Sequence, residues 1–336
     1  MSKKVIITGG CGFVGHHIVE HYLKNSDYDI IIFDKLSYSS SGFDRVRDIE
    51  AFDSTRVSIF TLDLIRPIPE GVIQECIGVS DIIHIAAESH VDRSIEDPMT
   101  FVKSNVVGTV NLLLFTNEIR KRGSMFDRFV YFSTDEVFGP APGNIFYKEN
   151  DSYNSCNPYS ASKASAEQFC IAFNNCYHIP MIITRSMNIF GERQHPEKFI
   201  PLCINKILAD EIITIHASPD CKVSGSRFYI HARNVAHAID FIMKRPTHMG
   251  CEAFNIVGEN EISNLMLANM IGDIIGKKAK TKMVDFHSSR PGHDLRYALD
   301  GSKMKSIGWK IPMNLKNSIE KTIKWYLNRP EWLKSS

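Results

Sequence analysis

Ser133-Thr134-Asp135-Glu136 is followed, 23 positions after Glu136, by Tyr159-x-x-x-Lys163. A serine or threonine hydroxyl near such a tyrosine–lysine pair is equipment for moving a hydride. Four positions apart on a helix, Tyr159 and Lys163 share a face. A free tyrosine titrates near about 10, too high for a base at neutral pH. A lysine ammonium and a positively charged nicotinamide beside it stabilise the phenolate and lower that value. Tyr159 can then take a hydroxyl proton while a hydride leaves the same carbon. Thr134 is positioned to hydrogen-bond that hydroxyl, and Lys163 to hold a ribose hydroxyl. Hydride transfer does not need the two adjacent acids, Asp135 and Glu136. They imply a second reaction in the same pocket, loss of water. One carboxylate takes a proton from the carbon beside a carbonyl, and a protonated carboxyl gives one to the departing hydroxyl. Such a pair works best when its pKa values are pushed apart.

These side chains need a scaffold, and the first half of the chain describes one. Short apolar runs at Lys4–Thr8, Asp29–Phe33, Val57–Leu62, Asp81–Ala86, Phe129–Ser133 and Met181–Thr184 alternate with helical stretches such as Phe13–Lys24. Runs of this kind predict strands buried on both faces of a parallel sheet built from βαβ units. The expected fold is therefore α/β, a Rossmann-type doubly wound sheet with a smaller, interleaved C-terminal lobe. Sites in such sheets lie beyond the carboxyl ends of the strands. Gly9, Asp34, Asp63, Ala86, Ser133 and Ser186 all follow strand ends. Because Glu252–Val257 again reads as a sheet strand, the first domain is expected to hold 1–190 plus about 236–262. The lobe takes 191–235 and 263–336. Within it, Gly191–Pro201 reads as a loop entering a helix, Ser218–Ser226 as turns, and Leu315–Leu327 as an amphipathic helix.

The turn after the first run carries glycines at 9, 12 and 15, with Phe13 and Val14 between them. Glycines there permit a tight turn, close approach of backbone to a pyrophosphate and close helix–strand packing. The helix N-terminus then faces the phosphates. Asp34 ends the second strand, 19 residues after Gly15, where an acid meets adenosine ribose hydroxyls. A carboxylate there repels a 2′-phosphate, which favours NAD over NADP, although Lys35 beside it softens the preference. Asp63 is an adenine-side candidate.

Composition sets the outer limits. The 336 residues are 43% hydrophobic and carry a net charge of +1, so no broad electrostatic attraction to nucleic acid or membrane is expected. A signal peptide or membrane span is not expected either. Eight scattered cysteines form no Cys-x-x-Cys pair and no zinc spacing, which suits reduced thiols in a cytoplasmic protein without a metal site.

The chain resembles the extended short-chain dehydrogenase/reductases, and within them the dTDP-glucose and UDP-glucose 4,6-dehydratases. The resemblance runs through nearly the whole chain. It rests on Gly9 to Gly15, Asp34-Lys35-Leu36-Ser37-Tyr38, Ala86 to Ser94, Ser133-Thr134-Asp135-Glu136-Val137-Phe138-Gly139, Asn157 to Lys163, Pro196 to Pro201 and Arg290 to Asp294. Related epimerases look like Ser-Ser-x-x-Val-Tyr-Gly where this chain has the acid pair. The resemblance implies a closed redox cycle, the first step toward deoxysugars such as rhamnose. Tyr159 and NAD⁺ oxidise C4 of a nucleotide-linked glucose, Glu136 takes the C5 proton, Asp135 protonates the C6 hydroxyl, and the hydride returns to C6. It adds Ser37 and Leu64 to the cofactor contacts, and Ser89, Asn188, Lys198, Arg227, Arg290 and His293 to the substrate contacts. It also implies a homodimer joined by a four-helix bundle from Phe101–Glu118 and Tyr159–Cys176. A nucleotide-sugar 4-epimerase and a catalytically idle NAD- or nucleotide-sugar-binding protein are the rival readings. Thymine and uracil differ by one methyl, worth only about 1–3 kcal/mol in a pocket, and both stay open. Two departures stand out. Phe138 replaces a usual tyrosine, and His231-Ala232-Arg233-Asn234 replaces a usually acidic stretch ending in Asp, which bears on the nucleotide lobe.

Overall fold

The computed structural model describes residues 3–37, 40–285 and 296–334. Its central feature is a seven-stranded, all-parallel sheet. Lys4–Thr8 (β1), Asp29–Asp34 (β2), Val57–Thr61 (β3), Val79–His84 (β4), Arg128–Thr134 (β5) and Met181–Ser186 (β6) form it with a later strand. β1 carries a continuous apolar run because both of its faces are covered. Val5 and Ile7 enter one core and Ile6 the other. Each Val, Ile or Phe buried this way contributes about 1.5–3 kcal/mol relative to exposure.

The longer helices are α1 (Phe13–Asn25), α2 (Gly108–Lys121), α3 (Pro158–Tyr177), α4 (Phe199–Leu208), α5 (Ala232–Met243), α6 (Asn264–Ile275) and α7 (Leu315–Asn328). Ile18, Val19 and Tyr22 of α1 and Val235, Ile239 and Ile242 of α5 cover one face of the sheet. Leu112, Phe115 and Ile119 of α2 and Ala166, Cys170 and Phe173 of α3 cover the other.

The remaining strands are β7 (Asn188–Phe190), β8 (Ile212–Ala217), β9 (Ser226–His231), β10 (Cys251–Ile256), β11 (Glu261–Ser263) and β12 (Lys280–Asp285). The large sheet has the order β10-β6-β5-β4-β1-β2-β3. The order reverses direction at β1, between β2 and β4, and that is where the crevice of such a sheet opens. The chain leaves the sheet after β6, builds β7 to β9 and α4 in the lobe, and returns as β10 to pair with β6. The lobe has its own core, with Ile204 and Ile207 of α4, Leu267 and Ile271 of α6, and Ile319, Ile323 and Tyr326 of α7. Met304 and Trp309, far along the second half, pack into the sheet core beside α1 and α5.

One expected helix is not continuous. The Phe101–Glu118 stretch is a short α-turn (Pro98–Phe101), a π-helical segment (Val102–Val107) and then α2. The wider π-turn presents Asn105, 1% exposed, to two neighbours. Its amide donates to Glu88 O and to Ser162 Oγ at 2.9 Å each, and its Oδ1 accepts from Glu88 N at 2.8 Å. The bulge thus ties the loop after β4 to α3, a common use of π-bulges at functional sites.

Candidate active site

The loop after β1 is built around absent side chains. Gly9 has φ +69°, and a Cβ there would lie 2.9 Å from Ala86 Cα. A Cβ on Gly15 would lie 2.0 Å from Gly9 O, so only glycine lets α1 start this close to the strand. No side chain caps α1, whose N-cap is Gly12, and no acid occupies its first turn. Its first N–H groups are left for a ligand anion. Gly9, Gly12, Phe13, Val14 and Gly15 line a cavity of about 690 Å³ that runs the length of the crevice.

Asp34 faces the same cavity at the end of β2. Burial pushes its pKa up, while N–H donors from Leu36 at 2.8 Å and Cys11 at 3.0 Å hold the carboxylate. Lys35 Nζ is bound to Glu88 Oε1 at 2.7 Å, so its charge is matched locally rather than offered to a 2′-phosphate. Ser37, Asp63, Leu64 and Ala86 complete this end of the wall. A glycine cradle, an uncapped helix start and a strand-end acid fit a dinucleotide.

Sequence reasoning missed Arg45, which also lines this end and is 1% exposed. Its Nε donates to Arg193 O at 2.9 Å and its Nη1 to Cys11 O at 3.4 Å, linking the glycine loop to the loop after β7. Nothing in its local sequence signals this, because both partners are backbone carbonyls.

At the other end of the crevice β5 delivers Thr134, the turn after it Asp135 and Glu136, and α3 Tyr159 and Lys163 to the same cavity. Thr134 Oγ1 donates to Asp135 Oδ1 at 3.1 Å and accepts from Glu136 N at 3.3 Å. Burial, and then the charge of Glu136, push Asp135 up to about 7. Its Oδ2 has no hydrogen-bond partner among the described residues. Glu136 Oε2 accepts from Asn157 Nδ2 at 3.0 Å. Two neighbouring acids are therefore in unlike surroundings.

Burial, and then the charge of Glu136, push the Tyr159 phenol well up, with a Thr134 hydrogen bond pulling the other way. Lys163 does not offset this. Its Nζ donates to Phe132 O at 2.6 Å and lies 4.3 Å from the Tyr131 ring centroid, and burial lowers its own pKa to about 8.

Asn188, Lys198 and Arg227 line the lobe side of the cavity, with Met187 and Ile189 flanking Asn188, and Ser89 lines it from the loop after β4. The Arg227 guanidinium lies 5.1 Å from the Tyr297 ring centroid. Arg290 and His293 lie outside the described residues. Of the departing stretch, Arg227 and Tyr229 just before it reach the cavity, whereas His231, Arg233 and Asn234 turn away from it. His231 Nε2 and Arg233 Nη1 each lie 3.2 Å from the Glu192 carboxylate, and Asn234 donates to Met313 O at 2.8 Å. These three stitch the start of α5 to neighbouring loops. Phe138 is fully buried and stacked on Tyr147, 5.3 Å between centroids, under the Arg185 guanidinium at 4.8 Å. A hydroxyl there would need a buried partner.

Glycine cradle, strand-end hydroxyl and Tyr-x-x-x-Lys at the head of α3 together define an extended short-chain dehydrogenase/reductase. A family model described as GDP-mannose 4,6 dehydratase matches residues 6–322, and the chain belongs to that family. It is 34% identical over 355 residues to a dTDP-glucose 4,6-dehydratase of Escherichia coli, covering 98% of this chain and 95% of that one. It is 33% identical to a trifunctional UDP-glucose 4,6-dehydratase/epimerase/reductase of Arabidopsis thaliana, covering 98% of this chain and 48% of the larger protein. The crystal structure of a Streptomyces venezuelae dTDP-glucose 4,6-dehydratase with NAD bound superposes with a TM-score of 0.85 at 29% identity, covering 98% and 99% of the two chains.

Proposed function

We propose that the protein is an NAD-dependent 4,6-dehydratase of a nucleotide-diphosphate glucose, producing the 4-keto-6-deoxyglucose nucleotide. The observation that carries this reading is the unequal acid pair: buried Asp135 pushed up to about 7 beside Glu136 held by an amide donor. Such a pair supplies an acid and a base to one substrate at one pH. A hydride-only enzyme has no use for it.

Gly9, Gly12, Gly15 and the start of α1 would hold the pyrophosphate, and Asp34 the adenosine ribose. Bound NAD supplies a reversible hydride acceptor and, when oxidised, a positive charge beside the phenol. Tyr159 takes the proton of the C4 hydroxyl, with Thr134 aligning that hydroxyl and Lys163 orienting the ribose at the nicotinamide end. The resulting C4 carbonyl acidifies the C5 proton, which Glu136 removes. Asp135 protonates the C6 hydroxyl, and water departs; return of the hydride to C6, with Glu136 giving its proton back to C5, completes the 4-keto-6-deoxy product. Ser89 and Asn188 face the sugar, and Lys198 and Arg227 the diphosphate, where a guanidinium fork suits paired phosphate contacts.

The test is to incubate the protein with dTDP-glucose or UDP-glucose and follow the sugar by NMR. A 4-keto-6-deoxy product supports the proposal. C4 inversion alone would replace it with the epimerase reading. The ratio of kcat/KM for the two nucleotides identifies the base.

The proposal extends to a homodimer. The paired helices α2 and α3 leave Leu114 50% and Phe169 41% exposed, apolar surface suited to a second copy. Sedimentation at micromolar concentration reads the mass. A cytoplasmic location belongs to the same proposal, in keeping with eight cysteines in no disulfide. Among the described residues no helix is long and apolar enough to cross a membrane.

A further inference from the structure

Two adjacent carboxyls with opposite duties need something that tells them apart. Asp135 has burial. The second distinguishing group lies on α3. Asn157 is the N-cap of that helix, and its Oδ1 accepts from Ser160 N at 2.8 Å. Ser160 Oγ returns the bond by accepting from Asn157 N at 3.3 Å, which completes a capping box. The cap settles which end of the amide is which. The oxygen must face the helix, so Nδ2 points the other way, toward Glu136 Oε2 at 3.0 Å. An amide nitrogen only donates, and a donor favours the ionised form of the carboxylate it meets.

The backbone around the pair is locked to the same unit. Asn154 N donates to Val137 O at 2.9 Å. Gly139 has φ +73°, and a Cβ there would lie 2.3 Å from Asn154 O. The turn carrying Asp135 and Glu136 and the loop entering α3 are therefore pressed together. Asn157 itself is 6% exposed, which leaves little access for water to replace its amide.

We propose that Asn157 is a positioning residue for elimination, holding Glu136 as the ionised member of the acid pair and fixing its direction relative to Tyr159. The inference rests on the reading of Glu136 as the C5 base. Through one amide, the start of the helix that carries the hydroxyl base also aims the carbon-acid base. The register of α3 thus couples the oxidation and elimination machinery.

The test uses Asn157→Ser and Asn157→Asp in the NAD-loaded enzyme. Serine and aspartate are both good N-caps, so α3 should keep its start and the thermal midpoint should stay near that of the parent. Serine removes the donor, and aspartate puts an oxygen in its place. Single-turnover C4 oxidation should be retained. Elimination at neutral pH should slow about tenfold, the scale of a lost hydrogen bond to a charged group. Removing a donor from a carboxylate, or facing it with a like charge, raises its proton affinity. The acid limb of the elimination rate should therefore move to higher pH, by about one pH unit in the aspartate variant. An unmoved acid limb in both variants would overturn the proposal. So would equal loss of oxidation and elimination, which is the mark of a merely structural cap. If the aspartate variant does not fold, the serine variant carries both readouts. Failure of the underlying reading is separable: a Glu136→Gln enzyme that eliminates at the normal rate removes the base assignment itself, whatever Asn157 does.

Discussion

Replacing Asp135 by asparagine should separate stability from activity in a way set by one buried carboxyl. Asp135 rises from an ordinary 3.8 to about 7, through burial first and the charge of Glu136 second. A raised carboxyl binds its proton more tightly in the folded state. Its contribution to stability is therefore complete below about pH 4 and is lost as pH climbs toward about 7. The size of that loss is about 4 kcal/mol on the scale of 1.36 kcal/mol per pKa unit. Asparagine does not titrate and abolishes the swing. Its amide keeps the acceptor facing Thr134 and leaves a polar atom without a protein partner, as Asp135 Oδ2 is now. That fixed cost of about 1–3 kcal/mol is the same at every pH. The difference in stability between variant and parent should thus move by about 4 kcal/mol in the variant's favour between pH 4 and pH 8. For a chain of this length the thermal midpoints should move apart by roughly 4–8 °C. The assay is scanning calorimetry of both proteins across that range at one saturating NAD concentration. Over the same range the parent's elimination rate should fall about tenfold per pH unit above about 7, as the acid ionises. The variant should lack elimination at every pH. A stability difference that stays flat with pH would refute the reasoning, because Asp135 would then not be held neutral by its surroundings.

Glu136→Gln should still oxidise C4 and then stall, seen as a build-up of reduced nicotinamide absorbance on mixing with substrate. Normal dehydration would remove Glu136 from its role. Tyr159→Phe should lose the first hydride transfer by at least about 10²-fold, the usual weight of a general base, and a near-normal single-turnover rate would sink that assignment. Gly15→Ala should abolish NAD retention, because its Cβ would sit 2.0 Å from Gly9 O; the nucleotide released on denaturation measures it. Glu167→Gln should cost about 3–5 kcal/mol of stability by leaving Arg185 buried without its carboxylate, now 2.6 Å away, and melting curves will show whether it does.

The sheet was legible because its inner strands are buried on both faces, and a continuous apolar run of strand length has little else it can form. Lys4–Thr8 is a strand over the residues its pattern marked. The catalytic cluster was legible for a related reason: Thr134 ends one strand with Asp135 and Glu136 in the turn directly after it, and Tyr159 and Lys163 start the next long helix, so local sequence states their neighbourhood. Contacts to backbone carried no such signal. Arg45 reads as one arginine in a charged turn, yet it reaches a loop 148 residues away through a carbonyl oxygen. Asn105 looked like an interior polar residue of one helix, because nothing in apolar periodicity records the extra backbone of a π-turn. Asn157 stood in the sequence only as the start of the motif that runs to Lys163, because its hand on Glu136 depends on how two loops fold against each other. The effect of His231 to Asn234 stayed open in the sequence, since a departure from a pattern says nothing about which way its side chains face.

The return of β10 to the edge of the large sheet has a consequence for how the protein is made. Six strands can pair as soon as Ser186 has left the ribosome, but β6 then waits for a partner that begins only at Cys251. At about 5–20 residues per second, that wait is roughly 3–13 s. For that time the nascent chain presents an apolar, unpaired strand edge of the kind that recruits chaperones or neighbouring chains. A stall during synthesis of the lobe would expose this same edge for longer.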